Sequence, residues 1–102
     1  MELLLTGDPI SARRAYEVGL INHVVTREEL VDAAQNLAET IAANAPLSVA
    51  AAKRMVLMTA EVGRSEAFHL AEEMYVPVYT SEDAQEGPRA FAEKRPAAWR
   101  GV

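Results

Sequence analysis

The sequence predicts a mainly α fold: almost every stretch reads as helix, with one short extended segment near Ile21–Val25. Three observations predict it. Alanine is abundant, and alanine has the highest intrinsic helix propensity. Apolar residues recur at helical spacing, not in alternation. Helix starts and stops punctuate the chain, with Ser11, Thr26 and Ser81 ahead of helical runs and Gly7, Gly19 and Gly63 behind them.

Taken in order, Met1–Thr6 is an apolar turn that Gly7 can stop, and Asp8-Pro9-Ile10 is a loop. Ser11 can cap a short helix from Ala12 to Val18, because its hydroxyl can accept one of the orphan N–H groups of the first turn. Gly19 suits the left-handed position after that helix, with Leu20 supplying the apolar contact that accompanies it. Val24 and Val25, flanked by Asn22-His23, form a short strand or an extended link. Thr26-Arg27-Glu28-Glu29 is a capping box, in which Glu29 reaches back to Thr26. The helix it opens carries Leu30, Ala34, Leu37, Ala38 and Ile41 on one face and ends at Asn44-Ala45.

Pro46 fits the first turn of the next helix, where its missing N–H removes no bond. That helix runs to about Glu61, with Val49, Lys53, Val56 and Leu57 along it. Gly63 breaks it and Ser65 caps another, whose apolar face is Ala67, Leu70, Ala71, Met74 and Val78. Pro77 should kink this helix or end it near Val76. Thr80-Ser81-Glu82-Asp83 starts a last acidic turn. Gly87-Pro88 should interrupt that turn, with Pro88 opening a terminal helix to about Lys94 and Pro96 stopping it.

Composition narrows the function. Half of the 102 residues are hydrophobic and a quarter charged, the balance of a folded chain and not of a disordered one. There is no cysteine, which excludes a disulfide framework, a thiol nucleophile and a cysteine metal site. No apolar run approaches the ~20 residues that span a bilayer. The net charge of −5 argues against nucleic-acid binding. Charge is unevenly placed: residues 61–86 are acidic, while the end is basic through Arg89, Lys94, Arg95 and Arg100. A basic end on an acidic chain can meet a small polyanion, or it can answer the negative end of the last helix dipole.

Candidates for chemistry are few. Glu28 and Glu29 do not face each other, and Glu29 has a cap to make. Glu72 and Glu73 lie on a polar flank; Glu82, Asp83 and Glu86 gather at a helix start, where the macrodipole favours acids, and read as capping or solvated. His23 and His69 lack metal-ligand spacing, and the serines lack a nucleophile's neighbours. No catalytic residue and no metal ligand is assigned. Tyr75, Tyr79 and Trp99 read first as core or interface packing.

The order and gaps of several short pieces are more specific than any one of them. These are Met1-Glu2-Leu3-Leu4-Leu5-Thr6-Gly7, Ile10-Ser11-Ala12, Ala15, Gly19-Leu20-Ile21-Asn22, Val24-Val25, Ala45-Pro46, Lys53, Glu82-Asp83, Glu86-Gly87, Ala90-Phe91 and Glu93-Lys94-Arg95. Over nearly its whole length the chain thereby resembles the C-terminal helical segment of the enoyl-CoA hydratase/isomerase (crotonase) family. The resemblance implies that residues 1–102 are the helical trimerisation part of a crotonase-like α/β fold, with the N-terminal catalytic core outside this chain. In that family the N-terminal part supplies two backbone N–H groups that hold the thioester oxygen and, in hydratases, two glutamates that move the protons of water.

The implied activity is water addition to 2-enoyl-CoA thioesters, with coenzyme A thioester as substrate and no resident cofactor. The alternatives are another reaction of the family, such as enoyl-CoA isomerisation, or a non-catalytic helical oligomerisation module. The implied partners are acyl-CoA and further copies of the chain, as a trimer or a dimer of trimers, with no nucleic acid and no membrane span; the implied location is the cytoplasm. By resemblance, Phe91 and Lys94, with Arg95 as a weaker third, approach the ADP end of coenzyme A. The residue types suit the task, since an aromatic face packs on adenine and an ammonium pairs with phosphate. Their i, i+3 spacing puts Phe91 and Lys94 on one helix face. The alternative is that Phe91 is a core anchor and Lys94 is simply solvated. The resemblance also lets Tyr75, Tyr79 and Trp99 line the outer wall of an acyl pocket, against the core or interface packing read first. The 102 residues alone are expected to be inactive.

Overall fold

In the computed structural model, which describes residues 1–102, six helices follow one another and no β-strand forms. They are α1 (Glu2–Thr6), α2 (Ala12–Glu17), α3 (Leu30–Ala42), α4 (Pro46–Thr59), α5 (Arg64–Tyr79) and α6 (Glu82–Glu93). The chain divides into two packed units, Met1–Asn36 and Leu37–Val102, with the boundary inside α3.

In the first unit, local side-chain chemistry decides where helices begin and end. Gly7 adopts the left-handed conformation (φ 71°) and its N–H returns to the Leu3 carbonyl, closing α1. Ser11 caps α2, its Oγ accepting the Arg14 N–H at 3.1 Å. Gly19 is again left-handed, and the Leu20 N–H reaches the Ala15 carbonyl at 2.8 Å. Ala15 is the buried residue of α2. Of the strand or link expected at Ile21–Val25, the link is what forms: these residues carry no strand pairing. The capping box is complete. Glu29 Oε2 accepts from both the backbone N–H and the hydroxyl of Thr26, and the Thr26 Oγ accepts the Glu29 N–H. Those two bonds from Thr26 stabilise the carboxylate and hold the Glu29 pKa below its ordinary value.

In the second unit α4 packs along α5, and α5 leads into α6. The predicted face of α5 is the one covered: Ala67, Leu70, Ala71, Met74 and Val78 are all half-buried. On α4 the outcome differs. Val49 is half-buried as expected, beside a covered stripe of Leu47, Ala51, Met55 and Thr59, while Val56 and Leu57 are two-thirds exposed and Lys53 is also exposed. The reason is that α4 is apolar almost all round, so periodicity alone does not select a side.

Three other expectations at helix ends change. Ser65 is not a cap; α5 starts at Arg64, with Gly63 at its N-cap in extended conformation and no side-chain cap bond. Of the two outcomes expected at Pro77, a kink or an end near Val76, the end does not occur, and the helix reaches Tyr79. Pro77 lies in the last turn, where the Thr80 N–H and hydroxyl both close on the Val76 carbonyl. Gly87-Pro88 does not split the last segment either, and α6 is continuous through both residues. A residue before proline is pushed out of the helical region partly by its Cβ against the proline ring; glycine has no Cβ, so that part of the clash is absent.

Large side chains that are fully buried are missing from both units. Leu30, Leu37 and Ile41, the expected apolar stripe of α3, remain about half exposed.

Candidate functional site

The polar contacts that link distant parts of the sequence converge on α6 and the tail after it. Ser81 caps α6, its Oγ accepting the Ala84 N–H at 3.1 Å. One and two residues on, Glu82 and Asp83 face the returning end of the chain. The Glu82 N–H donates to the Val102 carbonyl at 2.7 Å, and the Glu82 carboxylate pairs with Arg100. Asp83 is only 4% exposed. Burial of a carboxylate is unfavourable unless it is hydrogen-bonded. Here Oδ1 accepts the Arg100 N–H at 2.7 Å and Oδ2 the Gly101 N–H at 2.9 Å.

Glu86, one turn further, makes the second link. Arg95 grips it with both terminal nitrogens, at 2.5 and 3.0 Å, and the Ala98 N–H adds a third bond at 2.8 Å. The bidentate guanidinium contact is first among the causes that push the Glu86 pKa down to about 2, followed by the Ala98 N–H. Arg95 is raised above its ordinary value by the same contact and by Glu93, which its Nε reaches at 2.6 Å. Trp99 is the third link. Its indole N–H donates to the Ala43 carbonyl at 2.8 Å, between α3 and α4. Its ring lies over Gly87, so close that a Cβ there would stand 3.3 Å from the indole.

These links surround the two residues of greatest interest. Helix α6 ends in a paired closing motif: the Lys94 N–H returns to the Phe91 carbonyl at 3.2 Å and the Arg95 N–H to the Ala90 carbonyl at 3.1 Å. Such a motif places one residue in the left-handed region, and glycine ordinarily fills it. In this chain Lys94 does so, with φ 53° and ψ 40°, the one non-glycine residue with positive φ. The conformation costs a lysine about 1 kcal/mol relative to glycine. Lys94 is exposed and makes no ion pair, while Arg95 and Arg100 are both committed to carboxylates. Phe91, in the last turn of α6, is 87% exposed and so is not a core anchor in this chain.

Both Phe91 and Lys94 are exposed at the end of α6, but the geometry between them is not the one expected. Lys94 has left the helix, so an i, i+3 helical face does not describe the pair; the left-handed turn does. The reading of Asp83 and Glu86 as capping or solvated acids is corrected, since both clasp the tail. The signal for this was available: two acids one turn apart on α6, and Arg95 and Arg100 just beyond its end.

Elsewhere, a groove of about 450 Å³ runs between α4 and α5, walled by Leu47, Ala51, Met58, Leu70 and Met74. Glu73 is the one acid on its rim, so the groove holds no carboxylate pair. No group of three or more His, Asp or Glu side chains gathers as metal ligands would. No helix is long and apolar enough to cross a membrane.

Comparison with known proteins gives this geometry a context. The sequence model of the enoyl-CoA hydratase/isomerase family matches residues 1–102. The chain is 44% identical to a carnitinyl-CoA dehydratase of Proteus mirabilis, over 98% of this chain and 40% of that protein. It is 47% identical to the enoyl-CoA hydratase EchA19 of Mycobacterium tuberculosis, over 92% of this chain and 35% of that one. Its structure superposes on a crystal structure of enoyl-CoA hydratase from M. tuberculosis with a TM-score of 0.96 and 45% identity, covering 100% of this chain and 40% of the other. The chain thus spans about 40% of the length of the relatives it matches.

Proposed function

The chain belongs to the enoyl-CoA hydratase/isomerase family, and from that premise we propose that it is the C-terminal helical part of an enzyme that adds water to 2-enoyl-CoA thioesters. The observation that carries this reading is the family match over the whole chain, residues 1–102. Relatives named as a hydratase and a dehydratase both support chemistry in which water enters or leaves an acyl-CoA.

The division of labour follows from what these residues offer. Water addition to an unsaturated thioester builds an enolate, which needs fixed donors at the thioester oxygen and paired acid and base groups. No pair of acids shares the α4–α5 groove, where Glu73 stands alone, while Glu29 completes a cap and Asp83 and Glu86 hold the tail. On this reading the oxyanion donors and proton-transfer groups are not supplied by these 102 residues, which span about 40% of the length of the relatives. The contribution of this chain is twofold. Its exposed apolar stripes, Leu30, Leu37 and Ile41 on α3 and Val56 and Leu57 on α4, supply contacts to the rest of the enzyme and to further copies, as a trimer or dimer of trimers. Its exposed Lys94 and Phe91, at the end of α6, close the nucleotide end of coenzyme A, the ammonium on a phosphate and the ring on adenine. Arg95 is assigned to holding that turn and not to the phosphate, because its guanidinium already serves two carboxylates. Coenzyme A thioester is the substrate, and the reading invokes no resident cofactor.

The test is enzymatic. The protein expressed at its full encoded length should hydrate crotonyl-CoA, and the 102-residue chain alone should not. Hydration by the isolated chain above a boiled control would overturn the division of labour. The same exposed stripes favour one second reading, a helical oligomerisation module without an enzyme; absence of any acyl-CoA turnover by the full-length protein would select it.

A further inference from the structure

The feature that neither the family match nor the substrate reading explains is a lysine in a glycine's conformation, flanked on its C-terminal side by a fully engaged arginine. We propose that Glu86 and Arg95 act as positioning residues, holding Lys94 in its left-handed turn so that its ammonium stands ready for a phosphate of coenzyme A. The proposal rests on the reading of Lys94 given above.

Geometry supports it at three points. Arg95 is the residue directly after Lys94, and its backbone N–H is half of the motif that sets the turn. Its guanidinium then ties that residue back to α6 across nine positions, through two bonds to Glu86. A cation in water on a flexible stem would sample many directions; anchoring the next residue removes the backbone part of that freedom. Glu86 is itself fixed, because the Ala98 N–H and the ring of Trp99 over Gly87 seat the tail against the same helix. The arrangement also sorts the charges. Arg95 and Arg100 are neutralised within the chain, and Lys94 is left unpaired at the end of α6. A carboxylate that only capped a helix would sit at the N-terminus of α6; Glu86 sits mid-helix and reaches forward to the residue beside Lys94.

The experiment is a double-mutant cycle in the protein expressed at its full encoded length. KM for crotonyl-CoA is measured for the parent, Lys94→Ala, Glu86→Gln and the double variant, with fluorescence of Trp99, the single tryptophan of residues 1–102, as a monitor of tail seating. Each single change is expected to raise KM by up to about fivefold with kcat little altered, the size of one exposed ion pair. The double variant is expected to be no worse than Lys94→Ala, since Glu86 acts through Lys94. If Lys94→Ala leaves KM unchanged, the reading of Lys94 fails and the proposal falls with it. If Lys94→Ala raises KM but Glu86→Gln does not, the reading stands and the positioning role is overturned. If the two effects multiply, Glu86 acts independently of Lys94, and the proposal is again overturned. Should Glu86→Gln fail to fold, Arg95→Lys takes its place under the same criteria, keeping the charge while losing the two-pronged grip.

Discussion

Glu86 shows how one side chain sets a pH window. Its pKa falls from an ordinary 4.5 to about 2 in the folded chain, chiefly through Arg95. A carboxylate whose pKa is lower when folded binds protons less readily in that state, so its stabilising effect is complete above about pH 4.5. It fades as pH drops from there toward 2 and is gone below. Acid titration monitored by Trp99 fluorescence should therefore show the tail releasing within that interval, and Glu86→Gln should remove the dependence. A release unchanged in Glu86→Gln would mean that another group governs it. Lys94 gives the complementary case. Lys94→Gly should relieve the left-handed strain and raise stability by about 1 kcal/mol, read as a higher denaturation midpoint. The same change should weaken coenzyme A binding. A residue kept for packing would not separate stability and binding in this way. The conformation of Lys94 was not legible in the sequence, and the pairing of Glu86 was signalled only by acids on α6 and arginines beyond its end. A positive φ at a lysine contradicts local preference, and the partner of Glu86 lies nine residues along the chain, beyond any helical repeat.

Helix ends were legible wherever the chemistry that makes them is local. Ser11, Ser81 and the Thr26–Glu29 box bond groups within three residues, so residue type and spacing suffice to place them. Gly7 and Gly19 are likewise local, since their positive φ favours glycine. Gly87-Pro88 reads as a breaker, yet α6 runs through it, helped by the absence of a glycine Cβ against the proline ring. What was not legible is that Trp99, twelve residues on, lies over Gly87. Gly87→Ala tests both points: the added methyl would meet the indole at 3.3 Å and would restore the clash with the proline ring. The expected result is altered Trp99 fluorescence with reduced helicity by circular dichroism; unchanged helicity would show that the missing Cβ is not what keeps α6 continuous. Trp99→Phe separates ring from donor. It keeps an aromatic over Gly87 but removes the bond to the Ala43 carbonyl, and should lower stability by about 1 kcal/mol, the net worth of one such bond. A neutral result would show that the indole N–H adds nothing to the hold that Glu82, Asp83 and Glu86 have on the tail.

The molecule as a whole carries more apolar surface than it can cover. The two apolar residues that are buried are alanines, Ala15 and Ala90, which contribute little area, while Leu37, Ile41, Val56, Leu57 and Phe68 stay exposed. The half-buried face of α5 was legible because it meets α4 within the same unit. The faces of α3 and α4 were not, because their apolar residues stay exposed here, and a helical repeat does not say what a face meets. Burying one such side chain is worth roughly 2 kcal/mol, so several together supply a strong drive to associate. The purified 102-residue chain should therefore sediment as a concentration-dependent associating species. Replacing Val56 with glutamate on α4 should shift it toward monomer by placing a charge in the apolar stripe, while leaving the α4–α5 packing intact, because Val56 lies outside the covered stripe of Leu47, Ala51 and Met55. Leu70→Glu is the control on the opposite side: it enters the half-buried face of α5 and should reduce helicity as well as association. Sedimentation and circular dichroism together distinguish the two. A chain that stays monomeric at every concentration, with helices intact, would show that the exposed stripes are tolerated in water, and the assembly role proposed for them would be wrong.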